Sequence, residues 1–294
     1  MNIETVITES VSILTDASTL FIVSAGLTLV FGGLRLINMA HGSFYMIGAL
    51  GTTTAVAAFG IGGSAGFWLA LLVVPVAVAA LGAGVEVTVL RRIYGKEDLA
   101  QLLATFALLL VFGDLGLRLW GSDDRTLSPP GAVGGRFHLD GAVIPQYNLV
   151  VIAVAAVVGA GLWLLLGRTT VGWRIRAATE DPESLAVGGT NLALLRTGVF
   201  ALGAALAAIG GAAIAPLEAV GPGLDTQIIV SAFIVTVVGG LGSIQGAALG
   251  ALVIATVETL GTLWVPSYAS SAGYIVMILV LAVRPWGLFG TPER

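Results

Sequence analysis

Three polar side chains, Arg35, Asn38 and His41, interrupt an otherwise apolar region. They stand in Gly32-Gly33-Leu34-Arg35-Leu36-Ile37-Asn38-Met39-Ala40-His41-Gly42, between the runs Leu20–Phe31 and Phe44–Phe59. A bilayer accepts such groups only where protein or a water-lined path satisfies them. Glycines let the backbone bend or let helices approach closely. The stretch therefore reads as a break between, or within, membrane helices. Asn38 and His41 are three apart, so a helix would put both on one face. There they would line or gate a pathway, or tie spans together by hydrogen bonds worth about 1 kcal/mol. Arg35 is expected at the inner interface, its stem buried and its head group wet.

The same physics applies to other ionisable residues. Asp114 and Arg118 are spaced i,i+4 near a helix end. A charge at mid-bilayer costs about 2.5–3.5 kcal/mol, so the two are expected to pair. Glu258 lies well inside an apolar run and either bonds to a neighbouring helix or faces a cavity. Glu86 is expected to pair with Arg91, and Asp16 to cap the start of the first span. Gly62-Gly63-Ser64-Ala65-Gly66 matches the Gly-x-Ser-x-Gly pattern of hydrolases. That chemistry requires a strand–turn–helix and a triad. Here the motif joins two apolar runs, and the chain has only His41 and His138, so hydrolysis is rejected. The chain has no cysteine, which excludes disulfides and thiolate metal sites. It shows no cluster of metal ligands and no basic nucleic-acid surface.

The elements that must position these residues follow from composition. Of 294 residues, 57% are hydrophobic and only 10% charged, with a mean hydropathy of +1.00. Soluble domains carry about 25% charged residues. The sequence therefore predicts one all-α, polytopic membrane helix bundle over residues 1–294. The 41 glycines point to close helix packing and interrupted segments. A span needs about 20 apolar residues. Spans are predicted near 12–32, 40–60, 67–89, 99–119, 147–166, 193–215, 227–242, 245–265 and 269–284. Glycines interrupt the seventh and eighth, which could be half-helices or a re-entrant pair, so eight or nine crossings are expected. Met1–Ser10 has no basic residue, so no cleaved leader is expected.

Arg91, Arg92 and Lys96, then Arg168, Arg174, Arg176 and Arg196, then Arg284 and Arg294 cluster outside the spans. The positive-inside rule makes these regions cytoplasmic, with the N-terminus outside and the C-terminus inside. Residues 121–146 become an extracytoplasmic loop of irregular structure, and Leu217–Thr226 a second one. Residues 167–191 form a long cytoplasmic loop. Within it Asp181 suits an N-cap, Pro182 the first helical position and Glu183 the positive end of the dipole. Gly188 is expected to end the helix in the left-handed conformation. A short helix over 182–187 is predicted, of a kind suited to a groove on a cytoplasmic subunit. Gly239-Gly240-Leu241 echoes Gly32-Gly33-Leu34, and paired interrupted segments point to a transport path. Gly242, Gly246 and Gly250 fall four apart, which predicts a small-residue stripe packed on another helix.

Together these pieces resemble the permease subunits of branched-chain amino acid ABC importers. The match is carried by Gly26-Leu27-Thr28-Leu29-Val30-Phe31-Gly32, by Ile37-Asn38-Met39-Ala40-His41-Gly42 with Met46-Ile47-Gly48-Ala49, and by Arg176-Ala177 with Asp181-Pro182 and Gly188. It continues in Val238-Gly239-Gly240-Leu241-Gly242-Ser243-Ile244, Gly246, Gly250 and Glu258-Thr259, and ends in Arg284-Pro285 with Gly287-Leu288-Phe289-Gly290. The Asn-x-Ala-His-Gly stretch with the Arg-Pro tail resembles the H-type permease. Urea and short-chain amide permeases share nearly all of these features.

The resemblance implies an inner-membrane subunit of an ATP-driven importer. Its partners would be a second, related permease chain, two cytoplasmic ATPases, an extracytoplasmic binding protein and the lipid bilayer. Asn38, His41, Gly42, Gly240, Gly242, Gln245 and Glu258 become candidates for the path or its gate. Arg174, Arg176, Glu180, Asp181, Pro182, Glu183 and Gly188 become candidates for ATPase coupling. A P-loop ends in Gly-Lys-Ser/Thr, whereas the only lysine, in Tyr94-Gly95-Lys96-Glu97, lacks that context. No cofactor is expected on this chain, and ATP would be used by partner subunits. The alternatives are the same machine carrying urea, amides or another small polar solute, and a proton-coupled transporter using His41, Asp114 or Glu258.

Overall fold

All nine predicted spans are helices in the computed structural model, which describes residues 3–59, 64–139 and 141–290. They are α1 (Ile3–Leu34), α2 (His41–Phe59), α3 (Ser64–Thr88), α4 (Asp98–Trp120), α5 (Gln146–Arg168), α8 (Leu192–Ile214), α9 (Leu224–Gly239), α10 (Ile244–Trp264) and α11 (Ala269–Val283). Two further helices, α6 (Thr170–Glu180) and α7 (Pro182–Val187), lie between α5 and α8. Among the described residues, six helices, α1, α3, α4, α5, α8 and α10, are long and apolar enough to cross a membrane. Gly62 and Gly63 of the rejected hydrolase motif, and Arg294, lie outside the described residues.

α1 is the hub, packed on α5, α8, α9 and α10, while α8 also packs on α2 and α3. The tightest crossings are made by glycine. The Cβ of any residue at Gly26 would lie 2.9 Å from the Gly203 carbonyl oxygen, and one at Gly48 would lie 2.5 Å from the Ala208 Cα. Small residues let backbones approach this closely, and packing rather than hydrophobic transfer drives association in lipid. The outer faces of α3, α4, α5 and α11 are apolar and exposed, as at Leu72, Leu110, Val157 and Ile278. Such faces suit lipid or a membrane partner.

Several expectations are corrected. α1 starts nine residues before the predicted span, so Asp16 stands mid-helix and does not cap a start. Residues 136–145 of the loop after α4 are not irregular. They form a hairpin, β1 (Arg136–Leu139) and β2 (Ala142–Pro145), with Gly141 at φ +89°. Helix α1, about 48 Å long at 1.5 Å per residue, overreaches a core of about 30 Å, and its Glu4 lies against Gly141. The loop after α4 and the loop before α9 are joined by a backbone bridge between Arg125 and Val220. The seventh and eighth spans are two separate helices joined by Gly240–Ser243. Gly246 and Gly250 do face α9, as the stripe predicts, but Gly242 lies outside the helix and packs on Gly32.

The ion pairs form as predicted. Arg91 meets Glu86 at 3.0 Å, and Thr197 of α8 donates to the same carboxylate oxygen at 2.6 Å. Glu86 is fully buried, so this pairing locks the end of α3 to the start of α8. Arg118 meets Asp114 at 2.7 Å on an exposed face of α4.

Candidate functional site: a mid-bundle break and a basic-end platform

The chain leaves α1 at Arg35, which is exposed and adopts φ +52°. A left-handed non-glycine residue costs roughly 1–2 kcal/mol. Such strain persists only where the surroundings impose it. Here it turns the chain back into the bundle. Residues 35–40 are not helical, and Leu36, Asn38 and Ala40 are buried. The Thr105 hydroxyl on α4 donates to the Ile37 carbonyl at 3.1 Å. His41 then begins α2 beside the middle of α1, where its Nε2–H donates to the Val23 carbonyl at 2.9 Å. Val23 lies eleven residues before the end of α1, about 16 Å along its axis. The break thus reaches roughly half-way through a 30 Å core.

Irregular backbone at that depth is tolerated only where protein buries it or it lines a cavity. Among the described residues, Asn38 is buried with neither amide atom hydrogen bonded, and His41 Nδ1 is buried without a partner too. Asn38 and His41 do not share a helix face, contrary to the spacing argument. Asn38 lies in the extended linker, where its backbone carbonyl accepts from the His41 N–H at 3.2 Å. The spacing rule failed because it assumed a helix through a segment whose glycines and left-handed Arg35 end it.

Gly42 faces α9. A Cβ there would clash with the Asp225 carbonyl and lie 3.0 Å from the Ile229 Cβ. Asp225 was read as part of an outer loop. It is instead in the first turn of α9 and is buried, with its carboxylate accepting from the Thr226 N–H at 2.9 Å. Its other oxygen faces Gly113 of α4. Gly113 is seven residues inside the end of α4, about 10 Å. The N-termini of α2 and α9 therefore meet within the bundle, and Asp225 complements their positive dipole ends. Gly221-Pro222-Gly223, with Asp225 in the turn that follows, was the available signal for this helix start.

Gly240 (φ +106°) and Gly242 (φ +86°) shape the second break. The C-terminal tail closes it. Leu288 and Phe289 donate N–H bonds to the carbonyls of Val238 and Gly239, both at 2.9 Å. The tail thus caps the last carbonyls of α9, which a helix end leaves unpaired. Between the two breaks lies an apolar crevice of about 10 Å³, lined by Leu27, Phe31, Leu36, Ile37, Phe233, Thr236 and Leu241. At the opposite end of α9 an open polar hollow of about 450 Å³ is lined by Asp124, Gly221, Pro222, Thr226 and Gln227, among others. Gln245 is exposed at the start of α10. Glu258 is half-buried beside Gly273 of α11.

The second candidate region is the basic end. α6 was not foreseen. Gly172 lets it fold back on the last turn of α5, where any Cβ would strike Leu166. Arg176 donates to the Leu166 carbonyl and so caps α5, whereas Arg174 and Trp173 are exposed. An exposed tryptophan beside arginines is the usual dressing of a helix lying in a membrane interface. α7 forms over the predicted residues. Asp181 accepts from the Ser184 N–H at 3.0 Å, and Pro182 holds the first position. Hydrogen bonds from Ser184 keep the Asp181 carboxyl below its usual pKa. The left-handed residue at the end is Gly189 (φ +83°), not Gly188, whose φ is −70°. α7 buries Leu185 and leaves Glu183 and Val187 exposed, Val187 at 91%. Glu180 is exposed as well.

Comparison with known proteins identifies the family. Residues 10–283 match the family described as branched-chain amino acid transport system / permease component. The high-affinity branched-chain amino acid transport permease BraD of Pseudomonas aeruginosa is 30% identical over 289 residues, covering 95% of this chain and 94% of its own. LivH of Escherichia coli K12 is 28% identical over 290 residues, with the same coverage. The probable LivH of Methanocaldococcus jannaschii is 28% identical over 287 residues, covering 92% and 88%. No solved structure matches this chain at a significant level. The family match runs through both helix breaks and the platform, and the chain is a multi-pass membrane protein belonging to this family of transport permeases.

Proposed function

We propose that this chain is the membrane-spanning subunit of an ATP-driven, binding-protein-dependent importer of branched-chain or other apolar amino acids. The observation that carries the reading is α7, a capped helix of six residues held out from the basic end with an apolar tip at Val187. Its partners are two ATPases at the basic end, a second and related permease chain, and a binding protein at the other end. ATP is used by the ATPases, since Lys96 does not stand in a P-loop context, and this chain holds no cofactor of its own. Solute enters near the polar hollow at Thr226 and Gln227 and passes along α9 to the crevice between the breaks. That crevice is lined mostly by apolar side chains, and at about 10 Å³ it must widen before any solute can pass. The reading predicts that proteoliposomes holding the whole complex accumulate labelled leucine when ATP reaches the ATPases. Accumulation of urea, with none of leucine, would overturn the cargo.

The orientation follows from charge. Arg35, Arg91, Arg92, Lys96, Arg168, Arg174, Arg176, Arg196 and Arg284 lie toward one end of the bundle, and Arg118, Arg125 and Arg136 toward the other. The basic end is cytoplasmic by the positive-inside rule, which puts the N-terminus outside. Because the chain has no cysteine, Asp123→Cys and Glu183→Cys each give a single thiol. A membrane-impermeant maleimide added to intact cells is expected to label position 123 and to reach 183 only after lysis. The reverse pattern would invert the topology.

A further inference from the structure

Helix α1 ends without a helical partner for the Gly32 carbonyl, because the chain turns away at Arg35. That carbonyl accepts instead from Thr179, in the last turn of α6, at 2.8 Å. The same hydroxyl lies 2.9 Å from the Ile175 carbonyl of its own helix. It holds one proton, so the bond to Gly32 can be traded for one within α6. Beside it, a Cβ at Gly33 would lie 3.3 Å from an Ile175 methyl and 3.1 Å from a Val199 methyl. On the far side of α1, a Cβ at Gly32 would lie 3.1 Å from the Gly242 Cα. Gly32 is thus clamped between α6 and the α9–α10 break. It also stands three residues before the linker that carries Asn38 into the bundle. Two contacts at Gly32 therefore join the platform to both helix breaks.

We propose that Thr179 is a positioning residue of the transport cycle. Through its hydrogen bond to the Gly32 carbonyl, and the Gly32–Gly242 backbone contact, it passes displacement of the α6–α7 platform to both helix breaks. The inference rests on the reading of α7 as the ATPase-docking helix. α7 packs on α6 and α8, and α6 carries Thr179, so movement of α7 can reach Gly32, and from there Asn38 and Gly242, through this contact. Thr179 offers a directional bond, whereas the surrounding Ile175 and Val199 contacts are apolar and able to slide.

The test uses the whole complex in proteoliposomes, with ATP hydrolysis and leucine uptake measured in the same preparation. Thr179→Val keeps the shape and removes the donor, and Thr179→Ser keeps the donor. The valine variant is expected to assemble and hydrolyse ATP while uptake per ATP falls about tenfold, within the range for residues that modulate coupling. The serine variant is expected to stay within about twofold of the parent. Unchanged uptake per ATP in the valine variant would overturn the proposal. So would equal losses in both variants, which would make the methyl group the important feature. Failure of the valine chain alone to accumulate would also overturn it, since the bond would then serve folding. If the parent complex shows no ATP-driven uptake, the docking reading itself fails, a result distinct from a parent that couples and a valine variant that couples equally well.

Discussion

Replacing Gly246 by valine is expected to abolish accumulation of the protein in the membrane. Gly239 on α9 and Gly246 on α10 lie backbone against backbone, and a Cβ on either would fall inside the other's carbonyl group. One turn further along α10, a Cβ at Gly250 would lie 2.6 Å from the Val235 carbonyl oxygen. Neither contact is with the flexible end of a side chain, so neither can yield without moving a helix. Overpacking a close-packed interior costs about 1–3 kcal/mol even where side chains can adjust. Here separation of α9 from α10 would also strip the tail from the Val238 and Gly239 carbonyls. Gly161 on α5 supplies the control, since nothing lies within 4 Å of its missing Cβ. Gly161→Val should give membrane yields and size-exclusion profiles like those of the parent, and Gly246→Val should give neither. Normal accumulation of Gly246→Val would contradict the described packing of α9 on α10.

The second large effect is functional. Val187→Asp is expected to leave the chain folded and to detach the ATPases. Val187 is 91% exposed at the tip of α7, so the substitution removes no internal contact. Exposed substitutions of that kind change stability by about 0.5 kcal/mol or less. A charge placed in an apolar docking pocket, by contrast, falls among interface substitutions costing about 2 kcal/mol or more. That is more than tenfold in affinity, since about 1.4 kcal/mol is tenfold. The measurement is the amount of ATPase retained when the complex is purified through this chain. Loss of retention with normal membrane yield is the expected pattern. Full retention would place docking elsewhere, with the exposed Arg174 and Glu183 as the next positions to vary.

Much of this was legible in the sequence because a bilayer imposes length and polarity. Nine apolar runs became nine helices, and the caps at Asp181 and Pro182 fixed α7 to the residue. Glu86 found Arg91 because a buried carboxylate has few ways to be satisfied. Depth was not legible. The spacing of Asn38 and His41 suggested a shared helix face, while the left-handed Arg35 and the extended linker put them at mid-bundle by another route. Asp225 looked like a loop acid because the apolar run begins after it, and only the packing of Gly42 and Gly113 shows it to be buried. Arg176 looked free to meet a partner, whereas the fold of α6 turns it back on α5. The contacts of Gly32 with Thr179 and Gly242 join residues 147 and 210 positions apart, which periodicity along the chain does not report.

In the proposed cycle, ATPases move this permease in response to a loaded binding protein, so solute must stimulate ATP hydrolysis. The complex of this chain, the second permease, both ATPases and the binding protein would be reconstituted, and hydrolysis measured with no solute, with leucine and with urea. Hydrolysis is expected to rise with leucine, to lose that rise when the binding protein is left out, and not to rise with urea. Hydrolysis indifferent to leucine, in liposomes where leucine uptake instead follows an imposed proton gradient, would contradict this cycle.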